Sequence, residues 1–143
     1  MFRLLYGEDE RLLPWATERV GVPSFRHDAR TIGYENDDGL VAVVVFDGFS
    51  PVDVNMHIAS DGSSRWLTRE LLTASFAFPF IQCGLRRVTA LVPARNTAAL
   101  KFDEHLGFRR EGYHPQAGKD GDLVSLGMLK EWCRFLPKEH MHV

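Results

Sequence analysis

Apolar positions along the chain recur with two periods, one typical of helices and one typical of strands. Spacings of three and four residues indicate the buried stripe of a helix, whereas β-branched runs or strict alternation indicate strands. The strand pattern covers residues 1–6, 30–35, 40–46, 54–59, 87–92, 108–113 and 123–129. The helical pattern covers residues 9–20, 66–82, 97–106 and 130–136, with a short helical turn over 24–28. This order predicts a mixed sheet with helices packed on its faces.

The strand patterns differ in which faces they bury. Residues 40–46 are aliphatic or aromatic throughout, which predicts a central strand buried on both faces, and residues 87–92 are also expected to be apolar on both faces. Residues 54–59 alternate strictly, which predicts one core face and one polar face. The core face carries Val54, Met56 and Ile58, and the polar face carries Asn55, His57 and Ala59.

The helical segments carry recognisable ends. Gly21 is expected to stop the first one, and Pro79 to kink or finish the second before Cys83. In the third, Asn96 or Thr97 is the expected N-cap and Gly107 the expected left-handed C-cap. The predicted buried stripes are Leu67, Leu71, Ala74, Phe78 and Ile81 in the second segment and Ala99, Phe102 and Leu106 in the third.

Length and composition predict one globular domain spanning residues 1–143. The formal net charge of −2 argues against broad nucleic-acid binding, because proteins that hold phosphates usually carry a basic excess. The longest apolar run, residues 40–46, is too short to span a bilayer, and the N-terminus is too acidic for a signal peptide. A cytoplasmic protein is therefore expected. Cys83 and Cys133 form no CxxC motif and are expected to be reduced thiols.

Residues 96–113 carry a combination of short motifs after a strand, a loop that enters a helix, and a second strand. The segment reads NTAALKFDEHLGFRREGY, with Asn-x-x-Ala, Leu-Gly-Phe and Glu-Gly elements. It closely resembles the C-terminal half of the GNAT acyltransferase family, and the order of elements extends the resemblance over most of the chain. The nearest subgroup looks like short bacterial and phage members that are similar to ribosomal-protein N-terminal acetyltransferases.

The resemblance implies a fold, a co-substrate and a reaction. The expected fold is α/β (α+β), with a mostly antiparallel sheet of about seven strands and helices on both faces. Acetyl-CoA, or another acyl-CoA, would bind in a cleft between splayed central strands. The implied reaction is acyl transfer to an amine, with a small-molecule amine, an N-terminal amine or an exposed protein lysine as acceptor.

The loop over residues 60–64 and the helix start after it form the candidate phosphate-binding segment. A diphosphate needs several converging donors, and the first turn of a helix offers unpaired N–H groups and a positive dipole end. With the resemblance, this predicts cofactor contacts from Ile58, Ser60, Ser64, Arg65, Trp66, Leu67, Thr68, Asn96 and Phe102.

The same segment departs from the family pattern. Ser63, Trp66 and Thr68 stand where the family commonly has a glutamine or arginine and two glycines, and the added β-carbons restrict close approach to phosphate. Three plainer roles stay open. Trp66 covers the core, Asn96 only caps its helix, and Phe102 is only a core residue.

His57 is the candidate general base, because it lies on the polar face of its strand and imidazole exchanges protons near neutral pH. Asp53 or Asn55 is expected to orient it. Asp103 stands where the family commonly has a tyrosine that acts as the general acid. An ionised aspartate cannot donate a proton at pH 7. A solvated carboxylate is therefore expected at Asp103, with Tyr113 or water as the alternative acid.

The amine and the metal content follow from ordinary protonation and ligand chemistry. A lysine amine is neutral in about one molecule in 10³ at pH 7 and an α-amine in about one in ten, so limited acid–base equipment favours an α-amine or another amine of low pKa. The remaining histidines form no ligand pattern beyond the His-x-His of the tail, which predicts no metal.

Two further functions compete with the acyltransferase. A non-catalytic binding module of the same fold is suggested because Trp66, Thr68 and Asp103 stand where the chemistry of the family expects other residues. Separately, exposed apolar surface on the final strand pair would support a homodimer. A modifier of nucleic-acid bases, as in some phage enzymes of this fold, is suggested by a basic face and opposed by the acidic net charge. The arginines of that face are Arg65, Arg69, Arg86, Arg87, Arg109 and Arg110.

Overall fold

The computed structural model describes residues 1–20 and 24–137, and its elements follow the predicted order. The strands are β1 (Arg3–Tyr6), β2 (Arg30–Asn36), β3 (Gly39–Asp47), β4 (Asn55–Ser60), β5 (Arg87–Pro93), β6 (Arg109–Gly118) and β7 (Gly121–Leu129). The helices are α1 (Asp9–Val20), α2 (Arg69–Ala77), continued by a π-helical turn (Phe78–Gln82), α3 (Thr97–Leu106) and a 3₁₀ turn (Lys130–Trp132). No helix in these ranges has both the length and the apolarity to cross a bilayer.

The strands form one seven-stranded sheet in the order β1-β2-β3-β4-β5-β7-β6. Every neighbouring pair is antiparallel except β4 and β5, which are parallel. The prediction of a mixed, mostly antiparallel sheet of about seven strands is confirmed.

The sheet opens between β4 and β5. These strands share one paired position, Asn55 with Thr89, whereas β3 and β4 pair from Ala42–Ser60 to Asp47–Asn55. On its other side β5 pairs with β7 along its whole length. The backbones of β4 and β5 therefore separate beyond Asn55 and Thr89, and a gap opens in the middle of the sheet.

Helices cover both faces of the sheet, and β3 lies between them. Val43 and Val45 pack in a cluster with Leu12 and Ala16 of α1. The alternate positions of β3 pack with α2, the π-helical turn and α3 in the larger cluster, which includes Phe76. The prediction that residues 40–46 are buried on both faces is confirmed, since Val41 to Asp47 are all buried.

The helix predicted over 66–82 begins three residues later than its apolar pattern suggests. Thr68 is the N-cap, and its hydroxyl accepts a hydrogen bond from the Leu71 amide. Trp66 and Leu67 lie in a turn before the helix, and Leu67 is 43% exposed. The buried stripe predicted to start at Leu67 is therefore wrong, because the helix begins only after Thr68 and turns a different set of side chains towards the core. The buried residues of α2 are Leu71, Leu72, Ser75 and Phe76.

Other local predictions are also corrected. Residues 130–136 form a 3₁₀ turn over Lys130–Trp132 and then an irregular segment whose apolar side chains are buried, so their spacing does not reflect a helix. β5 buries only one face, and Leu91 on the other is 39% exposed because the adjoining gap leaves that face uncovered. Ala59 is buried against the α1 cluster, so the polar face predicted for β4 is interrupted there. The stop predicted at Gly21 lies outside the described residues.

Candidate active site

The gap between β4 and β5 places His57 opposite Leu91. Each lies two residues beyond the one position at which β4 and β5 pair. On its other side, His57 pairs with Val45 of β3, and both side chains lie on the face of the sheet that α1 covers. Two cavities meet at this point, of about 570 Å³ and about 240 Å³. They share Val20, His57, Leu91 and Pro93 as lining residues.

His57 is held by a buried carboxylate that the sequence did not single out. Its Nε2 lies 3.2 Å from Oδ1 of Asp47, whose residue is only 5% exposed. The other oxygen of Asp47 accepts the Arg26 amide at 3.0 Å, and the Phe25 ring lies 5.3 Å from the imidazole. An ionised carboxylate only accepts hydrogen bonds, so the Nε2 proton points to Asp47 and Nδ1 keeps its lone pair.

Asp47 is ionised despite its burial. Burial alone would raise the pKa of this carboxyl, but the hydrogen bonds from His57 and from the Arg26 amide outweigh it and leave the pKa below its ordinary value. The negative charge thus lies beside the imidazole at neutral pH, where it stabilises the protonated ring.

The expectation that Asp53 or Asn55 orients His57 is wrong. The Asp53 carboxylate accepts the Thr89 hydroxyl at 2.8 Å and lies 3.5 Å from Arg87, because it precedes β4 at the closed end of the gap. The register of β3 and β4, once the structure gives it, identifies Asp47 instead. Val45 lies directly opposite His57, so Asp47, two residues along on the same face, is its diagonal neighbour.

The smaller cavity gathers residues from both predicted parts of the cofactor site. Its wall includes five of the nine predicted cofactor residues, namely Ile58, Ser60, Trp66, Asn96 and Phe102. The Trp66 ring packs edge-on against Phe102, with centroids 5.5 Å apart, and its Nε1–H donates to the Ser63 carbonyl at 2.7 Å. Trp66 therefore covers core side chains and lines the cavity at the same time.

Asn96 caps α3 and still has a free donor group. Its side-chain oxygen accepts the Ala99 amide at 3.1 Å, and Gly107 ends the helix with φ of +117°. Both predicted caps are confirmed. The Nδ2 group forms no hydrogen bond with any residue in the described ranges, and the side chain borders the smaller cavity.

Asp103 is not the solvated carboxylate that we expected. It lies on α3 in the wall of the smaller cavity, and burial raises the pKa of its carboxyl to about 6. Its side chain forms no hydrogen bond or ion pair within residues 1–20 and 24–137. A pKa near 6 leaves roughly one Asp103 carboxyl in ten protonated at pH 7.

The segment before α2 satisfies most of its polar groups internally. Asp61 accepts the Ser63 amide at 2.9 Å and the Arg65 guanidinium at 3.0 Å. The Thr68 hydroxyl donates to the Tyr34 hydroxyl at 2.9 Å, which in turn donates to Glu70 at 3.0 Å. Four predicted cofactor residues line neither cavity: Ser64, Arg65, Leu67 and Thr68.

Tyr113 lies in the larger cavity, apart from Asp103. Its hydroxyl donates a hydrogen bond to Asp122, and this bond is the main cause of a raised pKa at Tyr113. A phenol that donates to a neighbouring carboxylate is a poor proton donor to a ligand. The geometry thus separates the predicted acids, with Asp103 in the smaller cavity and Tyr113 in the larger.

Half of the predicted basic face is neutralised by acidic neighbours. Arg65 pairs with Asp61, Arg110 with Glu104, and Arg87 with Glu111 and Asp53. Arg109 instead packs its guanidinium 3.6 Å above the ring of Trp132. Arginines that already have carboxylate partners contribute little net attraction for phosphates.

No family profile and no curated protein sequence matches the chain. Solved structures do match it. A mutant of spermidine N-acetyltransferase SpeG from Vibrio cholerae is 17% identical, with 90% of this chain and 92% of that chain covered and a TM-score of 0.73. The ribosomal-protein-alanine N-acetyltransferase from Escherichia coli is 17% identical, with coverages of 90% and 94% and a TM-score of 0.68.

A third similar structure was solved with a ligand. The protein yncA from Salmonella typhimurium, in complex with acetyl-CoA, is 14% identical, with coverages of 90% and 93% and a TM-score of 0.67. All three are GNAT proteins. The chain therefore has the GNAT fold, which confirms at the level of the fold the resemblance identified in residues 96–113.

Proposed function

We propose that the protein is an acyl-CoA-dependent N-acyltransferase that transfers an acetyl group from acetyl-CoA to a primary amine by direct attack. The observation that carries this proposal is the position of His57. It lies where the two cavities meet, is supported by a buried carboxylate, and has Nδ1 available as a base. A thioester on one side and an amine on the other would meet at this imidazole.

The smaller cavity suits the pantetheine arm of a CoA thioester. Beyond Asn55 and Thr89, the facing edges of β4 and β5 do not pair with each other, so their backbone groups can bind amides. Asn96 adds a free Nδ2 donor, and Trp66 and Phe102 supply apolar wall. The diphosphate end depends on fewer groups, namely the Arg69 and Glu70 amides at the start of α2 and the exposed Arg69 side chain, because Thr68 already accepts the Leu71 and Leu72 amides.

The proton transfers can be assigned to groups on both sides of the gap. His57 Nδ1 takes a proton from the amine as the C–N bond forms, and the Asp47 carboxylate stabilises the imidazolium that results. Collapse of the tetrahedral adduct breaks the C–S bond, and the leaving thiolate takes up a proton. Asp103, whose pKa is raised to about 6, is the candidate donor because it lies in the same cavity as the proposed thioester.

Amine-dependent release of CoA tests this function. The wild-type protein, incubated with acetyl-CoA and a panel of primary amines between pH 6 and 9, should release thiol only when a suitable amine is present. His57→Gln should lose this release, because glutamine has a similar reach but is no base. Mass spectrometry of the amine should show one added acetyl group. Absence of amine-dependent release across the panel and the pH range would refute the proposal.

One observation favours a second function, a binding module of the same fold. The segment from Asp61 to Thr68 satisfies its polar groups internally, and Arg65 is already paired. A protein that had lost tight diphosphate binding would look like this. Failure to bind acetyl-CoA, with the fold intact, would favour this alternative.

A further inference from the structure

The larger cavity, about 570 Å³, has an apolar wall next to His57 and a charged wall on the β6–β7 hairpin. Leu91 lies across the gap from the imidazole, and Val20 at the end of α1 and Pro93 of β5 also border both cavities. The hairpin contributes residues from Ala117 to Leu123. This volume is that of a site for a small molecule rather than for a single ion or water.

The carboxylates of this cavity are already engaged. Asp120 lies 3.9 Å from the Arg95 guanidinium. Asp122 accepts the Tyr113 hydroxyl and, at 2.8 Å, the Gln116 amide. Lys119 forms no ion pair in the described parts of the chain. Among the described residues, the lining therefore carries two cations, Arg95 and Lys119, and two carboxylates, Asp120 and Asp122, and has no net negative charge.

The apolar side chains of the cavity are unusually exposed. Leu91 is 39% exposed and Tyr113 is 60% exposed, and both line the larger cavity. Large apolar side chains that border a cavity indicate a site for an apolar group, because covering them removes apolar surface from water. Beside His57, such a wall also favours the neutral form of a bound amine, since a charged ammonium loses solvation there.

A polyamine fits this lining poorly. Each ammonium beyond the reacting one would need a carboxylate partner, because an unpaired charge is costly to remove from water. In this lining the cations Arg95 and Lys119 offset the carboxylates Asp120 and Asp122, so a second ammonium meets no net attraction, and Lys119 would repel the added charge.

Resting on the proposed function, we propose that the larger cavity binds the acceptor, and that this acceptor is a monoamine on a hydrocarbon or aromatic body with no second positive charge. The amine would lie at His57, with its apolar body against Leu91 and Tyr113. Although the spermidine enzyme is among the similar structures, the cavity selects against amines of that class.

The test compares 2-phenylethylamine with spermidine in two readouts, turnover with acetyl-CoA and calorimetric binding of the amine alone. In the wild type we expect kcat/KM for 2-phenylethylamine to exceed that for spermidine by about tenfold or more. Leu91→Asp should lower the first value and raise the second, because it adds an unengaged carboxylate beside the amine. Leu91→Met should keep the order of preference, and Gln82→Glu, which adds a charge at an exposed site outside both cavities, should not alter it.

The outcomes separate the cavity assignment from the reaction. Preferential turnover of spermidine by the wild type, or a preference that Leu91→Asp leaves unchanged, would overturn the inference while upholding the acyltransferase. Binding of 2-phenylethylamine that depends on Leu91, without turnover of either amine, would support the cavity assignment and refute the reaction. No binding and no turnover of either amine would overturn both.

Discussion

The two cavities meet at His57 and Leu91, yet their walls are built differently. The smaller cavity is lined by Trp66, Asn96 and Phe102, most of them from a segment with a recognisable family pattern. The larger is lined mainly by the tip of the β6–β7 hairpin, residues 117–123, where the sequence shows no motif. The motif-bearing side therefore suits the proposed acyl-CoA, whereas the hairpin tip can vary with the acceptor.

Replacement of His57 at the junction should separate chemistry from binding most sharply. We expect His57→Gln to lower kcat by about 10²–10⁴-fold, the usual contribution of a general base. Acetyl-CoA affinity should be retained, because the smaller cavity keeps its other wall residues. Steady-state thiol release and calorimetry on the same preparation measure the two effects. A variant with wild-type kcat would mean that the proton leaves by another route.

Replacement of Asp47 should disable the base while leaving the imidazole in place. In Asp47→Asn the side chain has only one acceptor oxygen, and the Arg26 amide is expected to keep it. The NH₂ group then faces Nε2 of His57 as a donor, so the ring proton moves to Nδ1. We expect kcat to fall by about 10²–10⁴-fold, because a protonated Nδ1 cannot accept the proton of the amine.

Asp28→Asn is the matched control for Asp47→Asn. Asp28 anchors the same loop through the Gly48 and Phe49 amides and does not touch His57. The two variants should lose similar stability, but only Asp47→Asn should lower kcat. Equal kcat values in the two variants would reduce Asp47 to a loop anchor.

Asp103 should show its burial in the pH dependence of stability. Because its pKa rises to about 6 on folding, its stabilising contribution is complete below its unfolded pKa near 3.8 and is lost as the pH rises through 6. At pH 8, Asp103→Asn should therefore raise the free energy of unfolding by roughly 1–2 kcal/mol, and the gain should shrink towards pH 4.

Urea unfolding at pH 4, 6 and 8 measures this gain. Glu104→Gln, an exposed carboxylate on the same helix, is the control variant. A gain that is independent of pH would show that Asp103 is solvated in the folded protein.

Asn96 offers the smallest and most selective change, because capping and ligand binding use different atoms. Asn96→Ala should lose the cap and about 1 kcal/mol of stability. Asn96→Ser keeps a capping oxygen but removes Nδ2, so its stability should stay near wild type while acetyl-CoA binds about threefold to tenfold more weakly. Unchanged affinity in Asn96→Ser would mean that Asn96 only caps α3.

Features fixed by local chemistry were predictable from the sequence. The caps at Asn96 and Gly107 follow from side-chain oxygen chemistry and from the positive φ that glycine tolerates. The double burial of β3 follows from its uninterrupted apolar composition. These features establish the sheet and the helix on the motif-bearing side of the gap.

Features that depend on how strands lie beside one another were not predictable. The contact between Asp47 and His57 requires the register of β3 and β4, and the exposure of Leu91 requires the parting of β4 from β5. The Thr68 hydroxyl, which caps α2, also donates to the hydroxyl of Tyr34, a contact between residues distant in sequence. The burial of Asp103 likewise follows from packing, since its sequence position alone indicates a solvated helix surface.

Calorimetric titration with acetyl-CoA and with CoA, on the wild type and on His57→Gln, requires no acceptor and measures whether the protein binds the proposed co-substrate. We predict micromolar binding of acetyl-CoA to both proteins, with the smaller cavity as the site. Binding to neither protein, with both folded, would contradict the acyltransferase and leave the binding module as the better account.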